Sequence, residues 1–210
     1  MKWVGLTGGI ASGKSSVSKV LREMSYPVID ADVLAHEVLK LGTEGLRQVT
    51  SAFGPEILKK NGELDRKKMG EIVFSDQEKR LQLEALIHPL VRDLQMKKRN
   101  ELEQKNTEIA FYDVPLLFEK NLESQFYKVI VVYSSNNTQL ERLKLRDGIS
   151  DEEALARLNS QMDIEEKKKR GKGPKPLPLC CCLNLSLCCL GLGCCSLGCS
   201  CCRKLHLSSS

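Results

Sequence analysis

The chain has 210 residues with 32 basic and 27 acidic side chains, a size for one substantial domain with small insertions. Its formal charge of +5 does not mark a nucleic-acid binder, because Lys172, Lys175, Arg203 and Lys204 fall in an acid-free stretch over 171–210 and the body before it is almost neutral. All 10 cysteines lie between Cys180 and Cys202, which excludes disulfides, cysteine metal sites and a thiol nucleophile from the body and fits a cytosolic enzyme with no secretory leader.

Trp3-Val4-Gly5-Leu6-Thr7 is short and mostly apolar and reads as a buried strand. Gly8-Gly9-Ile10-Ala11-Ser12-Gly13-Lys14-Ser15 follows and satisfies every fixed position of the G-x-x-x-x-G-K-[ST] phosphate-loop pattern. Ser16 to Met24, with Val17, Val20, Leu21 and Met24 on one face, predicts an amphipathic helix. Strand, glycine turn and helix N-terminus are the parts that hold phosphate. Gly8 and Gly13 reach backbone angles a side chain forbids, and N–H groups turn toward an anion at the positive end of the helix dipole. In that pattern Lys14 reaches the β- and γ-phosphates and the Ser15 hydroxyl ligates Mg²⁺. A chance glycine turn is the competing reading, and the presence of both flanking elements weighs against it.

The second strand is Pro27-Val28-Ile29-Asp30, and Asp30 and Asp32 stand at its carboxyl end, where open α/β sheets gather function. A carboxylate there can take the proton of an acceptor hydroxyl or hold a Mg²⁺ water. Asp32 can equally cap the helix over Val33 to Leu39. Residues 40–105 hold no convincing strand. Helices are predicted over Glu44 to Phe53, Lys67 to Phe74 and Gln77 to Ile87, with breaks at Gly54-Pro55 and Asn61-Gly62. A further helix starts at Pro89 and runs toward Leu102. The helical insertion, about 33–105, is long for a plain crossover and reads as a substrate-binding subdomain. His88, held out of helical geometry by the following proline, is either a substrate contact or a cap.

Glu108 to Val114 is the third strand. Its apolar run ending in Asp113 is a Walker-B type pattern, in which the acid orients Mg²⁺ or its water. Lys128 to Tyr133 is the fourth and least ambiguous strand. Two short helices follow. Thr138 to Arg146 carries Arg142 and Arg146 on one face, and a second opens on a Ser150–Glu153 capping box and carries Arg157 and Gln161. Together they read as a lid, about 138–165, bringing guanidinium charge to a transferring phosphoryl group. Ordinary solvated charge is the alternative, stronger for Arg157 than for Arg142 and Arg146.

These parts, in this order, resemble the dephospho-coenzyme A kinase family. The matching stretches are Gly5 to Ser15, Val28-Ile29-Asp30-Ala31-Asp32, His88-Pro89-Leu90-Val91, Asp113 to Glu119, Gln139 to Arg142 through Asp147, and Gln161. The phosphate loop alone is common; the Asp-Ala-Asp, His-Pro and Pro-Leu-Leu-Phe-Glu stretches make the resemblance selective. It spans about residues 1–170 and implies an α/β fold: a P-loop NTPase doubly wound parallel sheet with a helical acceptor-binding insertion and a helical lid. It implies MgATP-dependent phosphorylation of the ribose 3′-hydroxyl of dephospho-coenzyme A in the cytoplasm, the last step of coenzyme A synthesis. Lys14, Asp32, Arg142 and Arg146 would be catalytic, with Asp32 as base. Ala11, Ser12, Gly13, Lys14, Ser15 and Ser16 would contact ATP. Asp30, His88 and Gln161 would contact the acceptor, and Ser15 and Asp113 would serve Mg²⁺.

The sequence departs from the family after Arg170. A fifth strand and closing helix are expected, yet no β-branched residue follows Ile164, so the last strand and helix read as missing. Residues 171–210 are Leu-, Cys-, Gly- and Ser-rich. They read first as an artefactual or disordered tail, then as a membrane tether over Leu179 to Cys202, and last as a cysteine metal site or acylated segment. No membrane or nucleic-acid partner is expected unless the tail inserts. Two other functions compete: another small-molecule kinase of the nucleoside monophosphate type, and a nucleotide-binding module that does not turn over.

Overall fold

The computed structural model describes residues 1–171. The tail readings, including the membrane tether and cysteine site, lie outside the described residues. Among the described residues no helix is long and apolar enough to cross a membrane.

Strands β1 (Lys2–Gly8), β2 (Val28–Asp30), β3 (Ile109–Asp113) and β4 (Lys128–Val132) form one parallel sheet in the order β2-β3-β1-β4. β1 has a partner on each side, and every residue after Lys2 is buried, which explains its nearly unbroken apolar run. The register pairs Leu6 with Asp113, Asp30 with Asp113 and Gly8 with Val132. The carboxyl ends of the strands are thereby level, and the acids and the phosphate loop emerge at one rim. β4 falls on the strand read from Lys128 to Tyr133. In the structure only Val129 is fully buried, because β4 pairs with β1 alone among the described residues.

Helix α1 (Lys14–Glu23) begins directly on Gly13. Its buried residues are Ser18 and Leu21, while Met24, expected on the apolar face, ends the helix and is 46 % exposed. α2 (Ala31–Glu37) is capped by Asp30, whose carboxylate accepts from the N–H groups of Asp32 and Val33. The cap is therefore two residues earlier than the sequence suggests, and Asp32 stands in the first turn with its side chain uncommitted to capping. α3 (Glu44–Phe53) and α4 (Arg66–Ser75) fall where the sequence predicts, capped by Thr43 and Asp65.

The largest correction concerns Pro89. Instead of two helices meeting there, one 28-residue helix, α5 (Gln77–Gln104), runs straight through it, and His88 is helical. An interior proline lacks the N–H that would bond the Ala85 carbonyl and costs about 3 kcal/mol. Packing on both sides outweighs it. Leu83, Leu86 and Ile87 close a core formed by Leu46, Val49, Ile57, Leu64 and Met69. Val91, Leu94 and Leu102 pack instead on Trp3, Ile29, Leu34 and Ala110 of the sheet region. With each such side chain contributing up to about 1.5–3 kcal/mol, α5 is held at both ends of the proline.

After β4 come α6 (Asn136–Asp147), α7 (Asp151–Asn159) and α8 (Ile164–Arg170). Ser135 caps α6 and Ser150 caps α7 through the Glu153 N–H. α8 was not anticipated. Its signal is present all the same: Asp163 caps it, acids fill the first turn and bases the last.

Candidate active site

The phosphate loop closes on itself through a hydrogen bond from the Ser12 N–H to the Gly9 carbonyl, 3.1 Å. Two residues take left-handed backbone: Gly13 at φ 97° and Ala11 at φ 55°. The second is strained by about 1–2 kcal/mol in a residue with a Cβ, and nothing in the sequence pattern marks it. Gly8 is required for space. A Cβ there would lie 2.6 Å from Ser12 Oγ and 2.7 Å from the Val132 carbonyl. Ser12 Oγ is buried without a hydrogen-bond partner among the described residues. The Ser16 N–H bonds the Gly13 carbonyl at 3.0 Å, while the Lys14 and Ser15 amides have no earlier carbonyl within the helix to bond. The loop thus presents donors at the positive end of α1.

Asp113 ends β3 and its side chain is 2 % exposed. One carboxylate oxygen pairs with Lys14 Nζ and the other accepts from Ser18 Oγ at 2.5 Å. Ser18 is a residue the sequence reading missed. It lies four positions after Lys14, hence on the same helix face, which is the signal that could have found it. Asp30 and Asp32 stand beside this group at the end of β2. Asp32 is at the solvent rim, yet the crowding of protein around its carboxylate raises its pKa above the usual Asp value. The Asp30 charge adds to the rise, Lys14 opposes it, and Asp113 adds a smaller push. Tyr112, behind the two acids, is pushed up to about 12 by burial and by the same pair of charges. Asp30 itself is occupied in capping α2 and lies 3.9 Å from an Arg22 nitrogen.

His88 faces the loop after β3: its Nε2 lies 2.8 Å from Lys120 Nζ and 4.0 Å from a Glu84 oxygen. Burial and the Lys120 charge hold its pKa below the ordinary value, against the pull of Glu84. The lid arginines separate. Arg142 Nη1 would lie 3.7 Å from a Cβ built on Gly13, so its guanidinium overhangs the phosphate loop. Arg146 instead makes a two-pronged pair with Asp147 at 2.7 and 3.0 Å, shared with Arg157 at 2.7 Å. Gln161, expected at the acceptor, accepts the Ile10 N–H at 3.0 Å and so braces the loop.

The donor set suits Mg²⁺. The residues that would serve it, Ser15 and Asp113, offer hard oxygens. Among the described residues there is no cluster of three His, Cys, Asp or Glu able to cage a metal.

Comparison with known proteins agrees with this geometry. The Dephospho-CoA kinase family model matches residues 2–173. The Dephospho-CoA kinase of Listeria innocua is 44 % identical over 169 residues, covering 80 % of this chain and 84 % of that protein. That of Bacillus thuringiensis is 50 % identical over 167 residues, covering 79 % and 83 %. Among solved structures, Dephospho-CoA kinase from Campylobacter jejuni matches at TM-score 0.62 and 37 % identity, covering 82 % of this chain and 86 % of that one. TT1252 from Thermus thermophilus matches at TM-score 0.68 and 39 % identity, covering 81 % and 85 %. The chain belongs to the dephospho-CoA kinase family.

Proposed function

We propose that the chain transfers the γ-phosphoryl group of ATP to the ribose 3′-hydroxyl of dephospho-coenzyme A, with Asp32 as general base. The carrying observation is the meeting of Lys14, Asp32 and Asp113 at the level ends of β1, β2 and β3, with Arg142 above the loop. Asp32 accepts the 3′-hydroxyl proton as the new O–P bond forms. The bond from the γ-phosphorus to its bridging oxygen breaks, and ADP leaves. A raised pKa makes Asp32 a stronger base than an ordinary carboxylate. Lys14 exchanges Asp113 for phosphate oxygens, and Arg142 adds positive charge where the transition state spreads negative charge. Ser15 and Asp113 would hold Mg²⁺ or its waters, and the ion would supply neutralisation of charge on the phosphate oxygens.

Asp30 fixes the start of α2 and with it the position of Asp32. The insertion built on α3, α4 and α5 supplies the acceptor site, with His88 on the face toward Lys120. Helices α6 and α7 form the lid. A coupled assay of ADP release tests the proposal. Dephospho-coenzyme A should support turnover far above any nucleoside monophosphate, and Lys14→Ala should abolish it while the fold persists. Preference for a nucleoside monophosphate, or near-normal turnover by Lys14→Ala, would overturn it.

A further inference from the structure

Lys167 is fully buried in α8, an unusual place for an ammonium group. Its Nζ is 2.7 Å from Glu119 Oε1, 3.3 Å from the Pro115 carbonyl and 3.4 Å from the Gly8 carbonyl. Three acceptors match its three donors. Burying such a pair has no advantage over apolar packing for stability alone, so its location matters. Gly8 is the first residue of the phosphate loop. Pro115 follows the Asp113 strand, and its carbonyl also accepts from Thr7 Oγ1 at 3.1 Å. Glu119 additionally accepts the Met162 N–H at 3.1 Å, which fixes the approach to α8.

The next two loop residues are gripped from the same segment of chain. A Cβ on Gly9 would run into Gln139 Oε1, and Gln139 is itself held by the Ser134 carbonyl at 2.9 Å. The Ile10 N–H is taken by Gln161. A peptide plane carries its C=O and the following N–H on opposite sides. Holding the Gly8 carbonyl toward Lys167 therefore turns the Gly9 N–H the other way.

We propose that Lys167 is a positioning residue for ATP. It sets the first peptide of the phosphate loop, and through Pro115 and Glu119 it ties that peptide to the Asp113 strand and the end of the lid. This deepens the reading of residues 8–15 as the ATP phosphate site and rests on it.

The test uses the full chain with Lys167→Met and with the double variant Lys167→Met/Glu119→Gln, each assayed well below its own Tm. The single variant strands a buried carboxylate and should melt earlier; the double variant removes both charges and should recover much of that Tm. In both, the Kd for ADP and the KM for ATP should rise by about tenfold or more, while the KM for dephospho-coenzyme A stays within about twofold. Amide exchange over residues 8–13 should quicken in both, with β1 and β3 unchanged. If nucleotide affinity and loop exchange return to wild-type values together with Tm in the double variant, or never move, Lys167 is a structural lysine only. Wild-type protein that binds no ADP would instead strike at the ATP reading itself, and the exchange measurement would still decide whether Lys167 shapes the loop.

Discussion

As the proposed base, Asp32 depends on what it does not do. Asp30 takes the cap of α2, leaving the Asp32 carboxylate free at the rim, where partial desolvation and the Asp30 charge raise its pKa. A raised carboxyl pKa works against stability. Between the unfolded value and the higher folded one, the folded chain binds more protons than the unfolded chain. Stability therefore falls as pH rises through that window and stays lower above it. Asp32→Asn should consequently raise Tm at neutral pH, with the gain vanishing in acid. The same change should lower kcat by about 10²–10⁴ with little effect on ATP affinity. A variant that melts earlier at neutral pH, or loses ATP binding with turnover, would make Asp32 a structural or metal residue. Much of this site was legible, because Lys14, Asp32 and Asp113 stand in local patterns tied to strand ends. Ser18 was passed over despite its place one turn after Lys14, since its partner Asp113 is 95 positions away, and Lys167 was not legible because one of the carbonyls it reaches, that of Gly8, is 159 positions away. A run such as Lys167 to Arg170 looks solvated until the fold is known.

At the scale of elements, the post-β4 helices carry two kinds of arginine. Arg142 overhangs the phosphate loop and makes no ion pair among the described residues, whereas Arg146 and Arg157 share Asp147 at the protein surface. Arg142→Ala should slow phosphoryl transfer by up to roughly 10³, the low end of the range for arginines of this kind. Arg146→Ala should do much less, unless lid closure breaks its pair with Asp147. Equal losses in single-turnover rate for the two variants would show that Arg146 leaves Asp147 to reach the phosphoryl group. The i,i+4 spacing that put both arginines on one face could not separate them, since only Asp147, one residue on, decides where Arg146 goes. Pro89 is the converse case. Local chemistry predicts a helix boundary there, and the tertiary contacts of α5 override it.

For the molecule as a whole, the sheet among the described residues ends at β4. Val131 and Val132 remain partly exposed, and a Cβ on Gly171 would come within 2.9 Å of Val131 Cγ2, so α8 delivers the chain to that edge. Grafting a family-like strand and helix after Gly171 should bury more of β4 and raise Tm by about 5–15 °C, given 1.5–3 kcal/mol per large side chain fully buried. It should raise specific activity as well, since no proposed catalytic residue lies beyond it. An unchanged Tm and rate would mean that the natural continuation already completes the sheet. The fold class was readable because the phosphate loop and four strands carry strong local signals. The position of β4 at an edge was not, because pairing depends on what lies beside the strand.

The most direct measurement of the central claim is the site of phosphorylation. Full-length protein, ATP and dephospho-coenzyme A should yield, by ³¹P NMR, one new monoester resonance on the ribose 3′-oxygen, matched mole for mole by ADP and absent with Lys14→Ala. ADP released without that resonance, or phosphate on any other oxygen, would contradict it.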